Sequence, residues 1–127
     1  MLKAMKDTTA GGIPHWVTSE IVGHLRTNDS SYCKAWTPYI REIAKISRQH
    51  QVTNGGPIIA IQIDDEYSQD PFVGFPGKAE MMRDIQGELR RNGIVVPLTH
   101  NDAALRGNYA NGLGSADIYG LDSYPQV

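Results

Sequence analysis

Apolar side chains recur every three or four positions over two segments of the chain, which is the spacing that gives an α-helix one apolar face. In the first segment these side chains are Tyr32, Trp36, Tyr39, Ile43 and Ile46. In the second segment they are Met81, Met82, Ile85 and Leu89. Asp29 or Ser30 can cap the first helix, Pro38 should kink it, and Gly93 should end the second. The pattern predicts two amphipathic helices.

Three other segments are apolar runs that end in polar residues. They read PIIAIQI from residue 57, IVVPL from residue 94 and ADIYGL from residue 116. A nearly continuous apolar run is typical of a strand that is buried on both faces of a parallel sheet. Because helices alternate with strands, the order favours parallel β/α units. The connection over residues 103–115 has too many glycines and asparagines for a good crossover helix.

Each predicted strand is followed by a polar cluster at its carboxyl end. The clusters are Asp64-Asp65-Glu66-Tyr67, His100-Asn101-Asp102 and Asp122-Ser123-Tyr124. In parallel α/β folds, this edge of the sheet is where binding and catalytic sites are built. The sequence therefore predicts that the three clusters meet at one edge and form the site.

The three consecutive acids, Asp64, Asp65 and Glu66, support a hypothesis of general acid catalysis. Strand alternation places Gln62, Asp64 and Glu66 on one face of the sheet. A carboxyl group at the end of an apolar strand should have a raised pKa, because burial and like-charged neighbours disfavour its charged form. A raised pKa suits a general acid near neutral pH. The alternative is that the acids simply end the strand in water.

A metal site is a further interpretation of the same clusters. Asp64, Glu66, His100 and Asp102 are of the residue types that bind zinc or harder cations. Neither an HExxH nor a DxDxDG pattern is present, however, and the histidines are scattered along the chain. His100 could equally be a hydrogen-bonding partner of the site or a surface residue.

Several aromatic residues lie in or beside the clusters, and together they favour a carbohydrate ligand. They are Trp16, Tyr67, Tyr119 and Tyr124. Aromatic faces suit the apolar faces of sugar rings, whereas hydroxyl and acid groups suit their oxygens. Taken singly, each of these residues is more often a packing residue than a ligand contact.

Composition narrows the classes of function. The chain has 127 residues, enough for one domain, and its formal net charge of -2 gives no electrostatic case for nucleic acid. No apolar stretch approaches the ~20 residues that span a bilayer, and residues 1–12 lack the apolar region of a signal peptide. The single cysteine, Cys33, is expected to be a packing residue.

The segment TNGGPIIAIQIDDEY, residues 53–67, resembles the signature of glycoside hydrolase family 35, the β-galactosidases, in which this strand ends in Glu-Asn-Glu-Tyr. Four other segments are similar to parts of that family in the same order, especially in the secreted fungal enzymes. They read TTAGGIPHW, RTNDSSY, VVPLTHNDA and ADIYGLDSYP. The resemblance extends over essentially the whole chain.

The resemblance implies a partial (β/α)8 barrel, with residues 1–127 supplying roughly strands three to six of a catalytic domain. A full barrel needs about 250 residues, so we expect the chain to be a fragment. It implies retaining hydrolysis of terminal β-galactosyl residues, with a β-galactoside as substrate and no metal or cofactor. Family members are usually secreted, which implies an exported parent enzyme.

By resemblance, Glu66 occupies the acid/base position, and Asp65 stands where the family has an asparagine that binds the sugar. Asp7, Lys6 and Met5 stand where the family has a substrate-binding Glu, an Ala and a sugar-binding Asn. The nucleophile belongs to strand seven, so no residue of this chain is assigned that role.

The differences between this chain and the family at these positions leave an alternative open. Asp65 replaces an amide donor by an acceptor, Asp64 and Asp7 are one methylene shorter than the family's Glu, and Met5 offers no hydrogen bond. The chain could therefore be an inactive, truncated homologue with at most weak sugar binding. For the isolated chain we expect little or no hydrolysis.

Overall fold

The computed structural model describes residues 13–21, 23–67, 77–103 and 107–122. The predictions made for Met5, Lys6, Asp7, Ser123 and Tyr124 lie outside these residues. The described helices are α1 (His15–Glu20), α2 (Ser30–Gln49) and α3 (Lys78–Arg91). The described strands are β1 (Ile61–Asp65), β2 (Leu98–Ala103) and β3 (Ile118–Asp122). None of the helices in this part of the chain is long and apolar enough to cross a membrane.

The start of α2 confirms the predicted cap. The Asp29 carboxylate accepts a hydrogen bond from the Ser31 N–H at 2.9 Å, so one of the free amides of the first turn is satisfied. The helix continues through Pro38 to Gln49, where the chain passes into the turn around Gly55.

The predicted inner face of α2 is only partly right. Tyr32 is buried, but Tyr39 and Ile46 are 47% and 60% exposed, and the completely buried residue of the helix is Ala44. Alanine carries little weight in a hydrophobic pattern. Its small side chain nevertheless lets a helix backbone approach its neighbours closely. The buried face of α2 is therefore centred on Ala44 rather than on the adjacent large side chain of Ile43.

The predicted inner face of α3 is confirmed, because its four apolar residues are all 5% exposed or less. They are Met81, Met82, Ile85 and Leu89. Gly93 ends the turn after the helix with φ +90°, a conformation that strains any other residue. A side chain at this position would also meet the Arg48 side chain.

The three strands form a parallel sheet in the order β1–β2–β3, which confirms the predicted α/β class. Ile61 pairs with Leu98, and Thr99 pairs with Ile118. Helix α3 connects β1 to β2 and packs its apolar face on the sheet side, as a β/α unit requires. The described part of the next connection, residues 107–117, contains turns and no helix.

The first strand is shorter and more exposed than predicted. It begins at Ile61 rather than Pro57, and Ile59 is 70% exposed. The prediction of a strand buried on both faces is therefore wrong for this segment of the structure. Because β1 is an edge strand of the described sheet, only one of its sides pairs with another described strand.

Candidate functional site

The polar clusters of β1 and β2 meet at the carboxyl edge of the sheet, as predicted. In the parallel register, Asp64 lies opposite His100, and Asp65 lies opposite Asn101. Strand β3 extends the same edge, because Ala103 lies opposite Asp122. The sheet therefore collects carboxylate, imidazole and amide groups from strands that are distant in sequence.

Strand β1 does not place its polar residues as simple alternation predicts. A register shift between Gln62 and Asp64 makes Ile63 and Asp64 both buried, whereas Gln62 is exposed. The prediction that Gln62 and Asp64 share one face is therefore wrong. The Gln62 amide donates to the Asp65 carboxylate at 3.1 Å and to the Asn101 side-chain oxygen at 2.7 Å.

Asp64 is the buried acid of the site. Its Oδ1 accepts a hydrogen bond from the Arg26 guanidinium at 3.1 Å and from the Asp65 N–H at 2.7 Å. Its Oδ2 is buried without a hydrogen-bond partner among the described residues. Burial raises the pKa of Asp64 to about 6, against the opposing effect of the positive charge of Arg26. The raised pKa expected of the acid cluster thus occurs at Asp64.

Glu66 follows directly after β1 in an uncommon backbone conformation. Its φ of +49° lies in the left-handed region, where a non-glycine residue is strained by roughly 1–2 kcal/mol. Its N–H lies 3.4 Å from the side-chain oxygen of Asn101 on β2. The Glu66 side chain is partly buried, and the residue leaves the strand at the edge where the polar clusters meet.

Tyr67 anchors the chain immediately after Glu66. Its ring is completely buried, and its hydroxyl donates to the backbone carbonyl of Arg26. The Arg26 guanidinium and the Lys78 ammonium each lie 4.8 Å from the ring centroid. Tyr67 is therefore a packing residue, which is the commoner of the two roles considered for each aromatic residue, and its buried ring offers no face to a ligand.

A second polar network supports the edge at β2 and β3. The Asp102 carboxylate accepts from the Tyr119 hydroxyl at 2.8 Å and from the Asn108 N–H at 2.9 Å. Burial lowers the pKa of His100, whose Nε2 lies 3.3 Å from the Asn108 carbonyl oxygen. Its Nδ1 is buried without a partner among the described residues. The network holds Asn108, which lies in the described part of the connection from β2 to β3, against β2.

Two of the four residues of the metal interpretation bind other side chains. Asp64 binds Arg26, and Asp102 binds Tyr119. Across residues 13–21, 23–67, 77–103 and 107–122, no three histidine, cysteine or acidic side chains are grouped so that they could hold a metal ion. In this part of the chain the geometry gives the metal hypothesis no ligand set.

Trp16 lies half exposed on α1, beside an apolar groove of about 430 Å³ against α2. Tyr39 lines the same groove. Tyr119 remains near the polar clusters, but its hydroxyl is bound to Asp102. Only Tyr119 of the described aromatic candidates therefore combines a place at the edge of the sheet with partial exposure.

Arg26, which binds both Asp64 and Tyr67, was not predicted from the sequence. This residue lies 38 positions before Asp64, in a segment without helical or strand periodicity. A weak signal was available, because a carboxylate buried in an apolar strand needs a cation or hydrogen-bond donors. Nothing in the sequence says which of the basic residues supplies it.

In parallel α/β folds, acids at the carboxyl ends of the strands lie where binding and catalytic sites are built. The family described as Glycosyl hydrolases family 35 matches residues 5–126. The chain belongs to this family.

Relatives among curated fungal proteins agree with the family. The chain is 37% identical over 131 residues to "Probable beta-galactosidase B" of Talaromyces marneffei. It is 37% identical over 124 residues to "Probable beta-galactosidase C" of Sclerotinia sclerotiorum, and 37% identical over 130 residues to "Probable beta-galactosidase B" of Aspergillus niger. Each match covers 94% of this chain and 13% of the relative, so the chain spans a small part of the relatives' length.

Proposed function

We propose that residues 1–127 are part of the catalytic domain of a β-galactosidase-like glycoside hydrolase, which hydrolyses terminal β-D-galactosyl residues with retention. Membership of glycosyl hydrolase family 35 supports this proposal, as do the names of the fungal relatives. The observation that carries it is the position of Glu66, which directly follows a parallel strand at the edge where polar residues of β1 and β2 meet.

The proposed architecture is a partial (β/α)8 barrel that includes roughly strands three to six. Three observations support it: the strands are parallel, they are adjacent in chain order, and their polar residues share one edge. In a complete barrel, further strands would pair with the outer sides of β1 and β3. Among the described strands, β1 and β3 each pair on one side only, which leaves their outer sides available for such neighbours.

Glu66 is proposed as the general acid and base. It would protonate the leaving glycosidic oxygen and then deprotonate the water that attacks the glycosyl-enzyme intermediate. Retaining hydrolysis needs a second carboxyl group about 5–5.5 Å away as the nucleophile. No residue of this chain is assigned to that role, so the isolated chain is expected to hydrolyse galactosides very poorly.

Asp65 is proposed to face the sugar beside Glu66, together with Asp7, Lys6 and Met5. The hydrogen bond from Gln62 to the Asp65 carboxylate supports a fixed orientation of this side chain. A carboxylate accepts hydrogen bonds but donates none when ionised. Asp65 should therefore bind a sugar hydroxyl by accepting its proton, and binding should be weaker than with an asparagine that can also donate.

The test is a graft in which residues 5–126 replace the matching segment of a family relative that hydrolyses 4-nitrophenyl β-D-galactoside. We call this protein the graft. We expect the graft to be active, and we expect Glu66→Gln to lower kcat by about 10²- to 10⁴-fold, because the general base that activates water to hydrolyse the glycosyl-enzyme intermediate is lost. The matched control is Glu42→Gln, which changes an exposed glutamate paired with Lys45 on α2 and should leave kcat unchanged.

Two outcomes would overturn the proposal. One is a folded graft that is inactive and does not gain activity when Asp65→Asn restores the amide, which would favour the inactive homologue with weak sugar binding. The other is activity that is insensitive to Glu66→Gln. Export of the parent enzyme, which the resemblance implies, stays a prediction.

A further inference from the structure

Arg26 holds the chain on both sides of Glu66. Its side chain binds the residue two positions before Glu66, and its backbone carbonyl accepts a hydrogen bond from the residue immediately after it. The residues on the two sides are Asp64 and Tyr67, which are 1% exposed and completely buried, respectively. A single residue from the segment before α2 therefore fixes both ends of a short backbone segment.

The contact before Glu66 passes through Asp64. The guanidinium Nη2 of Arg26 lies 3.1 Å from Asp64 Oδ1, and the same oxygen accepts the Asp65 N–H at 2.7 Å. A charge-assisted hydrogen bond is stronger than a neutral one, and the Asp64 side chain is fully removed from solvent. The positive charge of Arg26 is thus connected, through one carboxylate oxygen, to the peptide that precedes Glu66.

The contact after Glu66 involves Tyr67 in two ways. The Tyr67 hydroxyl donates to the Arg26 carbonyl, and the Arg26 guanidinium stacks over the Tyr67 ring with its carbon 4.8 Å from the centroid. Arg26 itself has a φ of +57°, which turns its carbonyl and its side chain toward the same neighbour. Because the Tyr67 ring is completely buried and hydrogen-bonded to Arg26, the peptide after Glu66 is restrained as well.

Glu66 needs this support because its own conformation is unfavourable. A non-glycine residue with φ +49° persists only where the surroundings determine it. The Glu66 N–H also lies 3.4 Å from the side-chain oxygen of Asn101. Without the contacts made by Arg26, the segment could relax toward ordinary extended backbone and turn the Glu66 carboxylate away.

We propose that Arg26 is a positioning residue for Glu66, which holds the catalytic glutamate in its left-handed conformation through Asp64 on one side and Tyr67 on the other. This inference rests on the proposed role of Glu66. Arg26 does not touch the reacting atoms in this scheme. Its effect on catalysis is transmitted through the backbone of residues 64–67.

The first experiment uses the 127-residue chain and measures no activity. Amide hydrogen exchange and the Cα and Cβ chemical shifts of Glu66, which depend on φ, are recorded by NMR for Arg26→Met, Arg26→Lys and Tyr67→Phe. We expect the Asp65 amide to exchange about 10-fold faster or more in Arg26→Met, because its hydrogen bond loses the support of the guanidinium. The Glu66 chemical shifts should move toward extended values, and the Asp65 amide should lose more protection than the amides of α3, which report the general loss of stability. Arg83→Met, which removes an exposed arginine paired with Asp84, is the matched control.

The second experiment uses the graft. Arg26→Met should lower kcat by about 10-fold or more with a smaller change in KM, and Arg26→Lys should recover part of the loss, because lysine keeps the charge without the planar fork. If Arg26→Met does not fold, Tyr67→Phe removes only the hydroxyl contact and should still move the Glu66 shifts.

A purely structural role for Arg26 gives a different result. It predicts a lower melting temperature with unchanged Glu66 shifts and an unchanged kcat for the folded fraction, and this result would overturn the inference. If the NMR changes occur but every form of the graft is inactive, the proposed function is wrong. The result would still show that Arg26 determines the backbone conformation of Glu66. The two failures are therefore distinguishable.

Discussion

Asp64 at the carboxyl edge of the sheet and Glu88 on α3 are both buried carboxylates that bind arginine, yet their pKa values move in opposite directions. Hydrogen bonds from Arg41, Arg91 and Asn92 lower the pKa of Glu88 to about 2, with Arg41 as the largest cause. Burial raises the pKa of Asp64 to about 6. The same pairing of charges therefore has two different results in one molecule.

The difference lies in how completely each carboxylate is satisfied. Glu88 accepts from Arg41 at 2.5 Å, from Arg91 at 2.7 Å and from Asn92 at 3.0 Å, so both of its oxygens are bound. Asp64 binds through Oδ1 alone, whereas its Oδ2 has no hydrogen-bond partner among the described residues. Between the helices, Glu88 on α3 binds Arg41 on α2 and so joins the two helices. The edge of the sheet keeps an incompletely satisfied acid, which is the usual mark of a functional site.

The largest expected difference between the two acids is in the free energy of unfolding that is lost when the arginine bound to each of them is replaced. Arg26→Met should lower the free energy of unfolding by about 3–5 kcal/mol, because Asp64 must then either take up a proton or remain buried as an unpaired charge. Arg41→Met should cost only about 1 kcal/mol, because Glu88 keeps Arg91 and Asn92 and the Arg41 side chain is half exposed. Denaturant unfolding at pH 7 measures both values. Equal losses would mean that the two acids are equally well satisfied.

A second effect concerns stability between pH 4 and pH 6.5. Because the folded state raises the pKa of Asp64 from 3.8 to about 6, it binds the proton more tightly than the unfolded state does. The contribution of Asp64 is therefore fully present below about pH 4 and is lost as the pH rises through about 6, by about 3 kcal/mol.

The measurement is the difference in unfolding free energy between the unsubstituted chain and Asp64→Asn across this range. This difference cancels the titration of His100, whose lowered pKa acts in the opposite direction within the same window. Asn cannot ionise, so the substituted chain should gain relative stability as the pH rises. A flat difference would contradict the raised pKa of Asp64.

Glu88 should show the opposite pH dependence over a more acidic range. Its pKa falls from 4.5 to about 2 on folding, so its contribution is fully present above about pH 4.5 and is lost as the pH falls through about 2. Glu88→Gln should therefore cost about 2 kcal/mol at pH 7 and progressively less under acid. The same cost at pH 7 and pH 2.5 would show that the arginines do not act through the charge.

The smallest loss of stability is expected from disrupting the hydrogen bonds between the side-chain amides of Gln62 and Asn101. Asn101→Ala removes the oxygen that accepts from Gln62 at 2.7 Å and lies 3.4 Å from the Glu66 N–H. Since Gln62 is exposed and can bind water instead, the cost in stability should be about 0.5–1 kcal/mol. The same substitution should perturb the NMR shifts of Glu66 but leave those near Glu88 unchanged. A cost above that of Arg41→Met would reverse the predicted order.

The helix layer was largely predictable from the sequence. The apolar spacing of α3 is strong, and its four predicted residues are buried as expected. The parallel strands and their shared polar edge followed from apolar runs that end in charges. These features depend on local periodicity, which a sequence displays directly.

The details of the candidate site were less predictable, because they depend on contacts between distant segments. The bulge at β1 moves Asp64 to the buried side, and alternation cannot anticipate it. Arg26 lies in a segment without periodicity, and its contact with Asp64 exists only in the folded chain. Tyr67 follows the acids and was one of the four aromatic residues that together favoured a carbohydrate ligand, but its ring is completely buried in the core.

The most direct test of the role of Glu66 compares two leaving groups in the graft. 4-Nitrophenolate can depart without a proton, whereas methoxide needs protonation. If Glu66 is the acid, Glu66→Gln should reduce kcat/KM for methyl β-D-galactoside by about 10-fold or more beyond its reduction for 4-nitrophenyl β-D-galactoside. An equal reduction for both substrates would contradict the assignment of Glu66 as the proton donor.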